Sequence, residues 1–328
     1  MSHQLTRRGM LASLLATAAG PAFAETATDD YPKRTVTIMV SVSPGSQADQ
    51  FARLIADQLS TRLGKPVIVE NRPGGGQVVG GSAAAKAAPD GYTLFHGNLS
   101  ALIISPLLRN PPPYNTPRDF APITMTFSGP SVMVVDPKLP IHTAKELVAY
   151  AKANPGKLNY GSHGAGSFTH VSTEMFKGIT GIDMVHIPFN GGGPLTVGFL
   201  SGQVQMVIFD LVSVRAHVDS GKARVIAQVG DKRSPLYPDI PLLSETIDPS
   251  LATDFWLGMV APRGTPAPIV ARLNKEIAEI INLPRLKTMA ETASMSPMPM
   301  TPPAFGDKLA KEWARWGKVI KDRHIQIG

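Results

Sequence analysis

Three times in this chain a stretch of strand length ends in a turn rich in glycine, serine or other small residues, and residues at helical spacing follow at once. The turns are Ser43–Asp49, Gly161–Ser167 and Phe189–Pro194. Before the first lies Thr35-Val-Thr-Ile-Met-Val-Ser-Val42, a near-continuous apolar run of the kind buried on both faces of a parallel sheet. After it, Phe51, Leu54, Ile55 and Leu59 recur at helical spacing. Such alternation commits the chain to βαβ units with right-handed crossovers, and so to an α/β fold. It also says where to look for a ligand. In open α/β sheets the site lies beyond the carboxyl ends of the strands, where these turns fall.

The richest turn is Tyr160-Gly-Ser-His-Gly-Ala-Gly-Ser-Phe-Thr-His170, between a strand candidate at Lys157–Tyr160 and a helix at Ser167–Lys177. Ser167 suits the N-cap, and His170 falls on the first helical turn. Exposed backbone N–H groups and the positive end of a helix dipole together make an anion site without any charged side chain. Two sharper motifs fail at named positions. Gly161 to Gly166 has P-loop spacing, but Ser167 and Phe168 stand where lysine and a hydroxyl belong. A dinucleotide fingerprint starting at Gly164 and Gly166 meets Thr169 in place of its third glycine.

Further strands are expected at Val67–Glu70 and Tyr92–His96, with Asn71-Arg-Pro-Gly-Gly-Gly76 leading into an alanine-rich helix between them. A proline-rich connection, Asn110–Tyr114, opens a second series. It reads as strands at Val132–Val135, Met184–Pro188, Gln205–Phe209, Ala223–Val229 and Phe255–Val260, with Thr143 capping a helix and Asp210 closing a strand. The C-terminus reads as helices Ala267–Ile281, Pro284–Ala293 and Pro303–Asp322, with Trp313 and Trp316 packing onto the first half. If the first turn belongs to one lobe and the other two to a second, they oppose each other across a cleft, as in a hinge-closing binding protein.

Residues 1–24 read as an export signal. Thr6-Arg7-Arg8-Gly9 precedes the apolar run Met10–Ala19, too short to span a bilayer, and Ala22-Phe23-Ala24 makes a cleavage site before Glu25. The paired arginines suggest the twin-arginine route, with Sec export as the alternative. A soluble periplasmic protein is expected. The absence of cysteine rules out a thiol nucleophile, thiolate zinc sites and lipid attachment at a cysteine. Removing residues 1–24 takes two arginines and no acid, lowering the formal charge from +7 to +5. The basic residues are scattered, without the stripe and stacking aromatics that a nucleic-acid groove needs.

Catalysis finds little support. Gly80-Gly-Ser-Ala-Ala84 lacks the closing glycine of a nucleophile elbow, and His163-Gly-Ala-Gly166 is an oxyanion-like loop with no elbow to serve. His163 and His170 lack the H-E-x-x-H arrangement, so neither a metal nor a cofactor is expected.

The chain resembles the Bug family, the extracytoplasmic receptors of tripartite tricarboxylate transporters. The resemblance covers nearly all the chain after residue 24. It rests on Tyr31-Pro32, the Pro44-Gly45 turn with Asp49 and Ala52-Arg53-Leu54, and Gly64-Lys-Pro-Val-Ile-Val-Glu-Asn-Arg-Pro-Gly74. It continues through Ala88-Pro-Asp-Gly-Tyr-Thr-Leu94, Asp119-Phe-Ala-Pro-Ile123, and Ala153-Asn-Pro-Gly-Lys-Leu-Asn-Tyr160 with Ser162 and His170. Val185-His-Ile-Pro-Phe189, Gly202-Gln-Val-Gln205 and Gly221-Lys-Ala-Arg224 complete it.

The resemblance implies a two-lobed type II periplasmic-binding-protein fold with a ligand cleft between the lobes. Lobe 1 would comprise 25–125 and 228–328, and lobe 2 would comprise 126–227. It implies a small di- or tricarboxylate or aromatic acid, held largely by backbone amides, hydroxyls and water, and membrane components of the transporter as partners. A monomer is expected. A periplasmic sensor for a signalling receptor would use the same pocket; a periplasmic hydrolase is the more distant alternative. The family usually has an aromatic where Val42 stands and a small residue at Gln47, and Gly191-Gly192-Gly193 is richer in glycine than usual, so the ligand need not be a common one.

The candidate ligand-binding residues are Ser43, Gly45, Ser46, Gln47, Asp49, Asn98, Ser162, Gly164, Gly166, Ser167, His170, Phe189, Gly191, Gly192 and Asp210. Asp49 reads equally well as a capping carboxylate. Asp210 suits holding a loop or an ordered water better than acting as a base, and His170 suits supporting its own turn. Phe189 either lines the pocket or packs beneath it. No arginine lies within the three turns, although a bidentate guanidinium is the obvious carboxylate clamp.

Overall fold

The computed structural model describes residues 31–323 and 325–326. The expected export signal lies outside the described residues. Every element below belongs to a single unit that begins at Pro32.

The chain opens with β1 (Val36–Val40), α1 (Gln47–Leu63), β2 (Val67–Asn71), α2 (Val78–Ala85) and β3 (Thr93–Asn98), the alternation the sequence announces. A π-helical segment Ser100–Ile104, short helices α3 (Ser105–Leu107) and α4 (Thr116–Asp119), and the long strand β4 (Phe120–Gly129) follow. After Pro130 comes β5 (Ser131–Val135), in a second sheet, then α5 (Ala144–Ala153), β6 (Asn159–Ser162) and α6 (Phe168–Thr180). The second half continues through β7 (Val185–Pro188), α7 (Gly192–Leu200), β8 (Met206–Asp210), α8 (Leu211–Asp219) and β9 (Arg224–Val229). The chain then returns through α9 (Leu243–Thr246) to β10 (Phe255–Pro262), α10 (Ala267–Ile280), α11 (Pro284–Thr292), β11 (Ser296–Pro297) and α12 (Pro302–Asp322).

The first sheet runs β11-β4-β10-β3-β1-β2 and the second β7-β6-β8-β5-β9. β1 is parallel to β2 and β3, and β6 is parallel to β7 and β8. Neither sheet is parallel throughout. β10 is antiparallel to β3 and β4, and β5 is antiparallel to β8 and β9, because these strands carry the chain into or back from the other half rather than through a βαβ crossover. β11 carries no strand signal in its apolar residues, and β4, where Ile123, Met125 and Phe127 alternate with Thr124, Thr126 and Ser128, was not anticipated. Pro122 sits inside β4, opposite Val260, at a shift of register that accommodates a residue without an N–H.

One apolar cluster spans both halves, from Phe95 and Phe120 through Leu102 and Ile103 to Tyr160, Phe168 and Phe176. Within the first half Phe51 stacks on Phe127 with ring centroids 4.2 Å apart. Trp316 is fully buried and donates its indole N–H to Glu312 Oε2 at 2.8 Å, so α12 closes over the first half; Trp313 packs on the same cluster while partly exposed. A second cluster, with Val132, Val134, Leu195, Phe199 and Phe209, lies under α7.

Candidate functional site

β1 lies between β3 and β2, and the connections that leave β2 and β3 both reach the turn that follows β6. Beyond β3, Ser105 Oγ donates to the Gly166 carbonyl at 3.2 Å, and the Phe168 N–H donates to Ser100 Oγ at 2.9 Å. Beyond β2, Gly76 faces Ala165 so closely that a Cβ there would sit 3.3 Å from the Ala165 carbonyl oxygen. The carboxyl ends of the two parallel sets therefore face each other. The turn after β1 leaves the first sheet from that same carboxyl edge.

The turn Gly161–Ser167 is braced more than it is open. The Gly164 N–H donates to Ser162 Oγ at 3.2 Å, the Gly166 N–H to His170 Nδ1 at 3.2 Å, and the His163 N–H to Thr169 Oγ1 at 3.1 Å. Ser167 Oγ caps α6 by accepting from the His170 N–H at 3.3 Å, and the Ser167 N–H itself donates to the Gly164 carbonyl. Gly164 and Gly166 have φ of +117° and +81°, a region that side chains enter only with strain, so this compact turn needs glycine at both. Of the donors from His163 to His170, those of Ala165 and Thr169 have no acceptor among the described residues.

The other two turns leave their helix starts open. Ser46 occupies the N-cap of α1, but its hydroxyl makes no capping bond and is buried without a partner among the described residues. The first bond of α1 is from the Gln50 N–H to the Ser46 carbonyl, so the N–H groups of Gln47 and Ala48 precede the ladder uncapped. α7 likewise starts after Gly191 with no side-chain cap. Its first bond runs from the Leu195 N–H to the Gly191 carbonyl, which leaves Gly192 and Gly193 as donors, Pro194 having no N–H. His163 lies beside this start, its Nε2 3.6 Å from where a Cβ on Gly192 would be. Burial lowers the imidazole pKa, opposed by Asp210, so His163 sits there neutral.

Several candidates have their polar atoms engaged within the protein. Asp49 is 1 % exposed and accepts from the Gly45 N–H at 2.8 Å, from Asn71 Nδ2 at 2.8 Å and from Arg53 Nε at 3.0 Å. It shapes the first turn, while Ser43 and Gly45 stay exposed beside it. Burial pushes the Asp49 carboxyl pKa up, but the bonds from Arg53, Gly45 and Asn71 outweigh it and hold the group below the usual range. Asn98 Oδ1 accepts the Ala101 N–H at 2.9 Å. Asp210 caps α8, accepting from the Ser213 N–H and hydroxyl at 2.9 Å each. The ring of Phe189 fills the space over Gly161 and Gly198, so it packs beneath the turn.

Under the turn runs a column of rings. His186 stacks on Tyr160 at 4.8 Å and on His170 at 4.1 Å, and its Nε2 lies 2.7 Å from Ser162 Oγ. The Tyr160 hydroxyl donates to Glu174 Oε1 at 2.5 Å, and Lys177 Nζ lies 2.7 Å from the same oxygen. Burial, then the neighbouring His170, brings the His186 pKa down to about 4; burial lowers His170 and raises Tyr160. Glu174 stays ionised, since burial is outweighed by the Lys177 and Tyr160 hydrogen bonds.

A two-sheet α/β chain with uncapped helix starts at the carboxyl ends of its parallel strands is one of several binding architectures. The comparison that decides is with a family model, described as tripartite tricarboxylate transporter family receptor, which matches residues 51–325. The chain belongs to that family. It is 34% identical over 300 residues to the protein BugT of Bordetella pertussis, covering 91% of this chain and 92% of the relative. An R. palustris protein solved with adipate aligns at a TM-score of 0.81 and 31% identity over 90% of this chain and 99% of its own. MatC from Rhodopseudomonas palustris, solved with bound malate, aligns at 0.79 and 28% identity over 88% of this chain and 100% of its own. The Bug resemblance and the α/β solute-binding fold are thereby shown, and with them a receptor rather than an enzyme.

For this tripartite tricarboxylate receptor, sequence reasoning overlooked the residues that hold the gap: Ser100, Ser105, Arg109, His186 and the turn Gly74–Gln77. Arg109 donates from Nη1 to the Ser105 carbonyl and from Nη2 to the Gly75 carbonyl. Gly74–Gln77 left a signal as the tail of Asn71-Arg-Pro-Gly-Gly-Gly76, and His186 stands within the resemblance run Val185–Phe189 without having been assigned a role.

Proposed function

We propose that this chain captures a small carboxylate in the periplasm, in the gap between the sheet of β1–β3 and the sheet of β6–β8, and delivers it to the membrane components of a tripartite tricarboxylate transporter. The observation that carries this reading is the pair of uncapped helix starts, Ser46–Ala48 at the carboxyl edge of the first parallel set and Gly191–Gly193 at that of the second. Each offers backbone N–H donors and a positive dipole end, which favours an anion and needs no countercharge. The braced turn Gly161–Ser167 then serves as the fixed floor, with Ala165 and Thr169 adding donors.

In this reading the halves move as lobes about the two crossings, near Pro130 and in the stretch between β9 and β10, and the receptor works as a monomer exported by the twin-arginine route. The relatives solved with adipate and malate support a dicarboxylate as the ligand class. A thermal-shift screen of mono-, di- and tricarboxylates, aliphatic and aromatic, tests it. A ligand at ~100 times its dissociation constant stabilises the protein by about 2.7 kcal/mol. No stabilisation by any carboxylate at millimolar concentration would refute the proposal.

A further inference from the structure

Between β2 and α2 four consecutive residues have positive φ: Gly74 at +122°, Gly75 at +56°, Gly76 at +61° and Gln77 at +77°. For the three glycines this is ordinary. Gln77 is one of two non-glycine residues with positive φ among the described residues, the other being Ser294. Its N–H closes the turn onto the Gly74 carbonyl at 2.9 Å. The Gln77 side chain is half-buried, and its Oε1 is shielded from solvent with no hydrogen-bond partner among the described residues.

Both features count against Gln77 as a structural residue. Glycine would relieve the backbone and leave no buried carbonyl unpaired, and a buried acceptor without a donor is costly. Strained residues with unmet polar atoms gather where a ligand completes them. The position fits: Gly76, the residue before Gln77, lies against the carbonyl of Ala165 on the far side of the gap, and the Ala165 N–H is one of that turn's two without an acceptor among the described residues.

We propose that Gln77 is a specificity residue whose Oε1 accepts a hydrogen bond from a hydroxyl or ammonium group on the bound acid. The receptor then prefers hydroxy- or amino-substituted carboxylates to unsubstituted ones. The inference rests on the carboxylate reading above. The uncapped helix starts take the carboxylate oxygens, which carry no proton to donate, and Gln77 takes the substituent. A site that spends a buried acceptor on one donor discriminates against the analogue that lacks it.

Calorimetry with matched pairs tests this: malate and aspartate against succinate, and 2-hydroxyadipate against adipate. The wild type should bind the substituted member of at least one pair about tenfold more tightly, the usual scale for one buried acceptor left unmet. Gln77→Leu keeps the bulk without the carbonyl and should erase that preference, weakening the substituted acid while leaving the unsubstituted one within about twofold. Gln77→Gly guards against a folding defect in the leucine variant: it should melt no lower than wild type and lose the same preference. Equal binding within every pair, or a preference that survives both substitutions, overturns the role of Gln77 and leaves the carboxylate reading intact. Binding of no member by the wild type overturns both.

Discussion

The imidazoles of His170 and His186 lie stacked with centroids 4.1 Å apart and planes 16° from parallel, directly beneath the turn Gly161–Ser167. Each ring meets one residue of that turn: His170 Nδ1 accepts the Gly166 N–H, and His186 Nε2 meets Ser162 Oγ. The arrangement requires His170 unprotonated at Nδ1, and a second positive charge 4.1 Å away would be repelled in this half-buried site. Tyr160 closes the column on one side, while Glu174 and Lys177 face it from α6 and neutralise each other.

Stability should therefore fall on acidification well before the surface carboxylates titrate. Buried His96 and half-buried His186 have pKa values lowered to about 4, and those of His163 and His170 are lowered too, all chiefly by desolvation. A depressed folded-state pKa means that the unfolded chain, with histidines near 6.5, takes up protons first. The stabilisation is full above about pH 6.5 and is lost as pH falls toward 4. Urea midpoints measured at pH 7, 5.5 and 4.5 should decline steadily. His186→Asn, which deletes one titrating group, should make the decline shallower. A midpoint flat from pH 7 to 5 would contradict the buried neutral column.

Asp49 organises the first turn, and its replacement should be expensive. Asp49→Ala leaves the Gly45 N–H, the Asn71 amide and the Arg53 guanidinium without their common acceptor. A loss of about 2–4 kcal/mol in urea unfolding is expected for a buried charged acceptor. Glu70→Ala removes an ion pair between Arg72 and Glu70, whose side chains are 43% and 40% exposed, and should cost under about 1 kcal/mol. Equal effects from the two would mean that Asp49 is no more structural than a surface acid.

How much of this was legible depends on the sequence distance over which each feature is decided. The strand–turn–helix junctions at Ser43, Gly161 and Phe189 announce themselves through glycine and local spacing, and the Ser167 and Thr143 caps stand three residues from the N–H groups they serve. Which backbone donors remain free is settled far away. Phe168 loses its N–H to Ser100, 68 residues earlier, and Ser162 meets a histidine 24 residues later. Gly164 and Gly166 also look from sequence like open donors, but Ser162 Oγ and His170 Nδ1, two and four residues away, take their N–H groups, and spacing alone does not say which way those side chains turn. β4 is a different case: Ile123, Met125 and Phe127 alternate with Thr124, Thr126 and Ser128 as a strand should, but Pro122 near its start argues against one, and the hydroxyls prove buried instead of solvent-facing.

The last expectation concerns salt. Four arginines flank the first module and two lie in the second, and the structure engages all six within the protein, Arg53 on the first turn itself. Arg34 pairs with Asp90, Arg53 with Asp49, Arg62 with Glu276 and Glu279, Arg72 with Glu70, and Arg215 with Asp219. Arg224 donates to the carbonyls of Pro137, Leu139 and Ile141. Arg109 stands nearer the gap, but both of its Nη atoms donate to backbone carbonyls, so it ties the Gly75 turn to Ser105 rather than reaching for a ligand. A carboxylate held by N–H groups in a closed gap is screened far less than one held by surface charge. Affinity for the best carboxylate of the thermal-shift screen should therefore change little between low and moderate ionic strength. It should fade only as pH drops through the ligand's own pKa, near 3.9–4.3 for an unperturbed carboxyl. Substituting Arg34, Arg62, Arg72, Arg215 or Arg224 by glutamine should leave the dissociation constant within about threefold, which is under 1 kcal/mol. Arg109→Gln should act mainly on thermal stability, by freeing two carbonyls. A steep salt dependence together with a loss of about tenfold or more confined to Arg109 would instead make it the clamp, and the backbone-amide account would fail.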